Sequence, residues 1–267
     1  MNRLALHFPT LQYPSKRIYF PPNLRGNGLH NFRVPIVKKT IILLTSLAFV
    51  FISTSSFSQD SKEENSITAL QLALEKNPEN PEILSDLGLM YLKNELYQEA
   101  IDPLEKSLII RDSDSKTHFH LALAYGAVGR HPEKLKQLQA TVRLDPNMAE
   151  ANFKLALAYA ANKRHQEASQ YYKKTIQLDP DYQEAHYFLA LSYFLTNRYK
   201  EALVSIQETI RLSPTNAEAH YALGQIYMKL GRFNKAIHPL QTAMRIQPQL
   251  PKNKSLNSAA SYNPKNK

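Results

Sequence analysis

The sequence predicts an all-α solenoid built of stacked, antiparallel helix pairs, and three observations lead to this fold class. Helix-ending prolines recur: Pro146, Pro180, Pro214 and Pro248 follow one another at intervals of 34 residues, and Pro78 lies 68 residues before the first of them. Each interval holds two amphipathic stretches with apolar residues at i, i+3, i+4 and i+7, separated by a polar turn. Similar residues recur at the same place in each interval, as in repeat architectures.

The beginning of the chain differs from these repeats. Residues 1–36 are rich in proline and aromatic residues, contain no acidic residue and show no helical or strand period. We interpret them as an upstream extension from a mis-assigned start, with translation beginning at Val37, or as a disordered segment. An organellar transit peptide is the weaker alternative, because such peptides are usually rich in serine and this stretch has one.

Residues 37–58 have the layout of a secretory signal peptide. Two lysines precede an apolar run over residues 41–52, and small residues lead to an expected cleavage after Ser58. The run is shorter than the ~20 residues that a helix needs to cross a bilayer. The alternative is an uncleaved membrane anchor over residues 41–57, whose preceding basic residues still leave the repeats outside. Both interpretations predict export to the periplasm or another extracytoplasmic space.

The net charge of +10 is concentrated at the two ends of the chain. Residues 1–58 hold seven basic residues and no acidic one, and residues 249–267, predicted to be a disordered basic tail, hold four lysines and no acid. Between them, 22 basic residues face 23 acidic ones. A balanced body removes the main argument for binding nucleic acid. The absence of cysteine excludes disulfides, zinc–thiolate sites and thiol nucleophiles.

The repeats are expected to occupy most of the remaining chain. Residues 59–80 form a linker and a capping helix, because the stretch from residue 66 to residue 78 matches a lone second helix of a unit. Five full units follow at residues 81–114, 115–148, 149–182, 183–216 and 217–248. Each unit is predicted to fold as a helix, a turn and a second helix that ends near the recurring proline.

Recurring columns indicate how the two helices of a unit pack. In the first helix a leucine precedes a small residue, and a tyrosine follows three positions later; the second helix has its own small column. The columns are Leu87, Leu121, Leu155, Leu189 and Leu223; Gly88, Ala122, Ala156, Ala190 and Gly224; Tyr91, Tyr125, Tyr159, Tyr193 and Tyr227; and Ala100, Lys134, Ala168, Ala202 and Ala236. Because Lys134 interrupts the small column and Asp112 replaces the proline before it, we expect unit 115–148 to be the least tightly packed.

These columns resemble the tetratricopeptide repeat pattern W-x2-L-G-x2-Y, then A-x3-F, then P, over residues 81–248. The resemblance implies a right-handed superhelix whose first helices line a concave groove that binds peptides or partner proteins. Two slots depart from the pattern and make the core more aliphatic. The tryptophan slot holds Leu84, His118, Asn152, His186 and His220, and the phenylalanine slot holds Leu104, Leu138, Tyr172, Ile206 and Leu240.

A second apolar stripe on the first helices, roughly 120° from the core stripe, is predicted to line this groove beneath an acidic rim. Such a groove suits a protein or peptide segment with apolar and basic side chains. The structural alternative is that the glutamates complement the helix dipole and the apolar residues touch the next unit. The predicted groove residues are Phe119, Glu150, Phe153, Leu157, Glu184, Tyr187, Leu191, Phe194, Glu218, Tyr221, Gln225 and Met228.

No catalytic, cofactor or metal site is predicted, because equivalent histidines of successive units stand about a helix pair apart, ~10 Å, and no phosphate loop or catalytic triad motif occurs. The chain therefore reads as a non-enzymatic interaction scaffold or adaptor. Two alternatives remain: an accessory subunit of a membrane-bound enzyme or transport complex, and a homo-oligomer that associates through the C-terminal end. For the latter, Ile237, Leu240 and Met244 are expected on the outer face of the last helix.

Overall fold

The structure, a computed structural model, describes residues 66–250, which form eleven α-helices and no strand. The predictions for residues 1–65 and 251–267 lie outside the described residues. The helices are α1 (66–76), α2 (Pro81–Lys93), α3 (Tyr97–Ile110), α4 (Ser115–Ala127), α5 (His131–Leu144), α6 (Ala149–Ala161), α7 (His165–Leu178), α8 (Gln183–Leu195), α9 (Tyr199–Leu212), α10 (Ala217–Lys229) and α11 (Phe233–Ile246).

Each of the five units contains one helix pair, and the pairs stack in chain order. The two helices of a unit pack against each other, and each second helix also packs on the first helix of the next unit. First helices of neighbouring units touch as well, α2 with α4 and α8 with α10. The first helices therefore form the inner layer of the solenoid and the second helices its outer layer.

The turn inside each unit depends on one residue with a left-handed backbone. Two of these residues are glycines, Gly129 with φ 79° and Gly231 with φ 70°, and the other three have side chains. The next amide returns to the carbonyl of the tyrosine column at 2.8–2.9 Å, for example Arg164 to Tyr159, and this bond ends the first helix. The three side-chain-bearing positions are Glu95, Lys163 and Asn197, with φ of 58°, 61° and 61°.

Close packing inside the units explains two glycines. A Cβ at Gly88 would lie 2.4 Å from Cγ of Leu104, and one at Gly224 would lie 2.5 Å from Cγ of Leu240. Leu240 is only 1 % exposed, so the expectation that it lies on the outer face of the last helix is wrong. It occupies the phenylalanine slot, which faces inward onto α10.

In unit 115–148 the second helix buries fewer residues than the other second helices, whereas the first helix α4 buries seven, as many as α6 and α8. Helix α5 buries two residues, Leu138 and Thr141, whereas α7, α9 and α11 bury four each. The core also divides at α4. Leu121 and Tyr125 join a cluster with α3, whereas Phe119 joins the main cluster that continues to α10.

Helix α1 caps the stack in the way that a second helix would. Gln71 of α1 donates a hydrogen bond to the Tyr91 hydroxyl at 3.0 Å, and Gln139 of α5 makes the equivalent contact with Tyr159 at 2.9 Å. In the unit between them, burial and a hydrogen bond to Glu105 raise the pKa of Tyr125 to about 12. The tyrosine hydroxyl thus joins each of the first three units to the helix before it, as an acceptor at Tyr91 and Tyr159 and as a donor at Tyr125.

Candidate functional site

The tryptophan slot has a structural role in four units. Its side chain donates a hydrogen bond to a backbone carbonyl six residues earlier and so ties the helix to its preceding turn. The pairs are His118 Nε2 with Asp112 O at 3.0 Å, Asn152 Nδ2 with Pro146 O at 3.0 Å, His186 Nε2 with Pro180 O at 2.9 Å, and His220 Nε2 with Pro214 O at 2.9 Å. The recurring histidines therefore serve the fold.

A second recurring contact closes the turn between the two helices of a unit. An arginine guanidinium lies over the ring of the tyrosine column and its Nε donates to a glutamate three residues later. This arrangement was not predicted, although the spacing of its residues recurs in the sequence. The sets are Tyr125, Arg130 and Glu133; Tyr159, Arg164 and Glu167; and Tyr193, Arg198 and Glu201, with guanidinium carbon to ring centroid distances of 4.3, 4.6 and 4.5 Å.

The predicted groove residues divide into three groups by exposure. Phe119, Phe153 and Phe194 are buried, at 7, 7 and 9 % exposed. Glu150 and Glu184 are exposed. The remaining members are partly exposed and form the accessible floor: Leu157, Tyr187, Leu191, Glu218, Tyr221, Gln225 and Met228. The accessible part of the groove is thus narrower than the stripe that the sequence predicts.

Phe153 shows why some of these rings are not accessible. Its centroid lies 4.8 Å from that of Tyr182, 5.8 Å from that of Tyr172 and 6.0 Å from that of Phe188. Tyr172 and Phe188 stack on each other at 6.0 Å. These rings join unit 149–182 to unit 183–216. The role of Phe188 was not predicted, because it lies in the column next to the groove stripe.

Two of the three glutamates of the predicted acidic rim contact other side chains of the protein. Burial, together with the Glu218 carboxylate that accepts its hydrogen bond, raises the pKa of Tyr187 well above its usual value. This contact links α8 to α10. Glu150 lies 3.8 Å from Nζ of Lys154 in its own helix. Glu184, by contrast, is exposed and forms no such contact with another described residue.

Two partly buried basic side chains, Lys134 and His120, lie in unit 115–148. The Lys134 side chain crosses Gly126, and its Nζ lies 3.5 Å from the place where a Cβ of residue 126 would be. Burial and the nearby Lys154 lower the pKa of Lys134. Burial likewise lowers the pKa of His120, whose Nδ1 is buried without a hydrogen-bond partner.

The repeats match a known family in sequence. Profiles of the tetratricopeptide repeat match residues 69–102, 119–183, 160–209, 190–231 and 217–250. The chain belongs to the tetratricopeptide repeat family. The first of these matches begins within α1, which agrees with its role as the second helix of an incomplete unit.

Solved structures share the fold of this tetratricopeptide repeat protein. YrrB, described as a TPR protein with an unusual peptide-binding site, has a TM-score of 0.66 and 18 % identity, covering 73 % of this chain and 98 % of its own. MamA has a TM-score of 0.60 and 24 % identity, covering 66 % of this chain and 97 % of its own. MamA from Desulfovibrio magneticus has a TM-score of 0.58 and 16 % identity, covering 64 % of this chain and 97 % of its own. At these identities the likeness establishes the fold alone.

One curated protein matches a short part of the chain. The anaphase-promoting complex subunit CDC16 from Saccharomyces cerevisiae is 43 % identical over 54 residues, which is 20 % of this chain and 6 % of that protein. The match thus concerns the repeat and not the whole of that subunit. The tetratricopeptide repeats support a protein-interaction scaffold, a role that is typically non-catalytic.

Two other kinds of site are absent from the described part of this tetratricopeptide repeat protein. Among residues 66–250, no group of three or more His, Asp and Glu side chains is arranged to hold a metal ion. Within the same range, no helix has both the length and the apolar character needed to cross a bilayer. The partly exposed floor of the concave groove is the candidate site.

Proposed function

We propose that this protein is an exported scaffold that binds a segment of a partner protein in its concave groove. The observation that carries the proposal is a register of partly exposed leucines at one position of four consecutive first helices: Leu89, Leu123, Leu157 and Leu191. An apolar row repeated along the inner layer can receive successive side chains of one bound segment.

The charge of the groove supports a partner segment with basic as well as apolar residues. Glu184 is exposed on α8, and Glu218 is partly exposed on α10 beside Tyr187. Tyr221 and Met228 continue the floor at this end with large, partly exposed side chains. A basic side chain next to an apolar one would therefore meet both a carboxylate and an apolar contact at the α8–α10 end.

Export forms the second half of the proposal. Its support is the basic, apolar and small-residue pattern of residues 37–58. Amino-terminal sequencing of the protein from fractionated cells tests it, and we expect the mature chain to begin at Gln59. A mature start upstream of Val37 would contradict this interpretation, whereas a retained segment 41–57 in the membrane fraction would favour the anchored alternative.

The groove is tested by affinity capture from the cell envelope with variants chosen for exposure. Tyr187 is unsuitable because its hydroxyl is hydrogen-bonded to Glu218, so that its substitution would also alter the contact between α8 and α10. Leu157→Gln combined with Leu191→Gln alters the partly exposed floor. The matched control is Val204→Gln, because Val204 is 68 % exposed on the outer helix α9. Circular dichroism shows whether all forms are folded.

We expect the partner to be retained by the wild type and by Val204→Gln and lost by the groove double variant. Equal retention by all three forms would move the interface away from the groove. Capture of only the same chain would instead favour the homo-oligomer, which a polar substitution of the partly exposed Ile237 or Met244 should then disrupt. Stable co-purification with a membrane complex through that end would favour the accessory-subunit alternative.

A further inference from the structure

The turn inside the last unit differs in charge from the turns of the three units before it. In those units the arginine that precedes the second helix forms an ion pair at 2.9 Å with a glutamate three residues later: Arg130 with Glu133, Arg164 with Glu167, and Arg198 with Glu201. In unit 217–248 the arginine recurs as Arg232, but Lys235 stands in place of the glutamate. Among the described residues, neither of these two cations forms an ion pair within 4.0 Å.

A third cation lies at the same turn. Lys229 is the last residue of α10, and Lys229, Arg232 and Lys235 are all exposed. We call these three residues the terminal basic turn. Their charge is not balanced further along the chain, because residues 219–267 contain eight basic residues and no acidic one.

The terminal basic turn lies at one edge of the solenoid. Because the helices alternate in direction, the turns within units share one edge and the turns between units share the opposite edge. The first edge carries two further exposed lysines, Lys163 and Lys200. The opposite edge is acidic, and its arginines Arg111 and Arg211 form ion pairs with acidic residues. The aspartates of its turns are Asp112, Asp114, Asp145, Asp179 and Asp181.

The basic edge has the features of a surface that meets a bilayer. Apolar side chains lie among its cations: Leu195 is 41 % exposed, and Leu230 and Phe233 are partly exposed. Cations mixed with accessible apolar side chains are typical of proteins that bind the membrane interface. The turns of successive units stand ~10 Å apart in a row, so their cations suit a flat surface with many phosphate groups better than a single small anion.

We propose that the terminal basic turn binds the phosphate headgroups of an anionic phospholipid bilayer, and that the solenoid is thereby held with its within-unit turns toward the membrane. This goes beyond the proposed function, because it concerns a different surface. The groove leucines Leu157 and Leu191 lie within first helices and not at the turns, so the groove stays open to a partner while the edge is bound. For an exported chain, the surface concerned is the outer face of the membrane.

The test measures which edge approaches a bilayer. The chain has no cysteine, so Asn234→Cys at the terminal basic turn and Asn147→Cys at the opposite edge each give one labelling site, and both asparagines are exposed. The full chain, as the cells process it, carries a fluorescent dye at one of these sites. It is mixed with phosphatidylcholine vesicles, with or without phosphatidylglycerol, that contain a headgroup quencher. Comparing two edges of one chain gives a result whether or not residues 41–57 are retained.

Two variants remove the charge of the terminal basic turn. One is the triple substitution Lys229→Gln, Arg232→Gln and Lys235→Gln. The other is Lys235→Glu, which restores the arginine–glutamate pair of the preceding units and so favours folding of the turn. The matched control removes the same charge from exposed residues at the opposite edge, and circular dichroism shows that each form is folded. The control substitutions are Lys76→Gln, Lys116→Gln and Arg143→Gln.

We expect phosphatidylglycerol vesicles to quench the dye at position 234 more than the dye at position 147, and pure phosphatidylcholine vesicles to show no such difference. The triple variant should weaken this interaction on the order of a hundredfold, since each basic residue near an anionic surface contributes about fivefold. Lys235→Glu should weaken it about twentyfold for a change of two charges, and the control should keep it.

Equal quenching at the two positions would overturn the proposal, as would quenching that persists in both charge variants. A dye at position 234 that responds to polyglutamate and not to phosphatidylglycerol vesicles would also overturn it, and would assign the terminal basic turn to an acidic protein instead.

Discussion

Units 115–148 and 149–182 are neighbours with the same fold and register, yet they use their interior differently. Where α6 and α7 have Ala160 and Ala168, α4 and α5 have Gly126 and Lys134. Helix α7 buries four residues, including the ring of Tyr172, and α5 buries two. The difference shows that a repeat keeps its fold when a larger residue on the second helix meets a residue without a side chain on the first, and that one unit can replace apolar packing by a charged group.

The largest effect is expected when the lysine is moved into the tightly packed unit. Ala168 is fully buried, so Ala168→Lys should lower the free energy of unfolding by about 3 kcal/mol or more, because it places an ammonium group in a slot without room. The Ala160→Gly, Ala168→Lys double variant should recover part of this loss. Urea unfolding followed by circular dichroism measures both, and an Ala168→Lys protein as stable as the wild type would contradict the comparison.

The glycines give the next contrast. At Gly224 an added Cβ would lie 2.5 Å from Cγ of Leu240, whereas at Gly126 it would meet the flexible Lys134 stem at 3.1 Å. We expect Gly224→Ala to cost about 2 kcal/mol and Gly126→Ala to cost less than about 1 kcal/mol, because the lysine stem can move and the buried leucine cannot. Thermal and urea unfolding of the two variants side by side decide the point, and equal losses would refute it.

The turns of the two units differ at one position, and this difference predicts a substitution that increases stability. Lys163 has φ 61° at the position where unit 115–148 has Gly129 with φ 79°. Lys163→Gly should therefore stabilise by about 1 kcal/mol, since a left-handed backbone strains a residue with a Cβ. Gly129→Ala should destabilise by a similar amount. If Lys163→Gly lowers the unfolding midpoint, the assigned strain is wrong.

A change in stability of comparable or smaller size is expected when the Tyr172 hydroxyl is removed. It is buried without a hydrogen-bond partner, and burial raises the pKa of Tyr172. Tyr172→Phe should leave stability unchanged or raise it by up to about 1 kcal/mol, because it removes an unpaired polar atom. Tyr159→Phe is the control, since it deletes a hydroxyl that accepts from Gln139 at 2.9 Å. A clear loss in Tyr172→Phe would reveal a partner for that hydroxyl.

The smallest effect is expected in the pH dependence of stability, through His120 of unit 115–148. Burial lowers the pKa of His120 below its ordinary value of 6.5, and the charges around it are Asp114, Lys116, Asp86 and Lys93. The unfolded chain therefore binds a proton at this residue before the folded chain does, and stability should fall as the pH decreases through about 6.5. His120→Gln should flatten this dependence. Unfolding midpoints at several pH values measure it, and an unchanged slope in the variant would argue against His120 as the cause.

Much of the fold could be predicted from the residues because helix pairs are local structures. The 34-residue spacing placed the first helices at their observed starts, and the small and tyrosine columns marked the buried face of each helix. The candidate site was harder to predict. The stripe that includes Phe153 and Leu157 was visible, but its division into a buried ring and a partly exposed leucine was not, since the aromatic residues that cover Phe153 come from other helices.

The sequence by itself thus determined the helix pairs, their order, the capping helix and the family, because each of these follows from periodicity along the chain and from local turn chemistry. Only the tertiary structure decided that Leu240 faces inward, that Glu218 is engaged by Tyr187, and that Lys134 lies against Gly126. The physical reason is that the angle of a residue around its helix gives the direction of its side chain, whereas its surroundings depend on neighbouring units that pack from outside that helix.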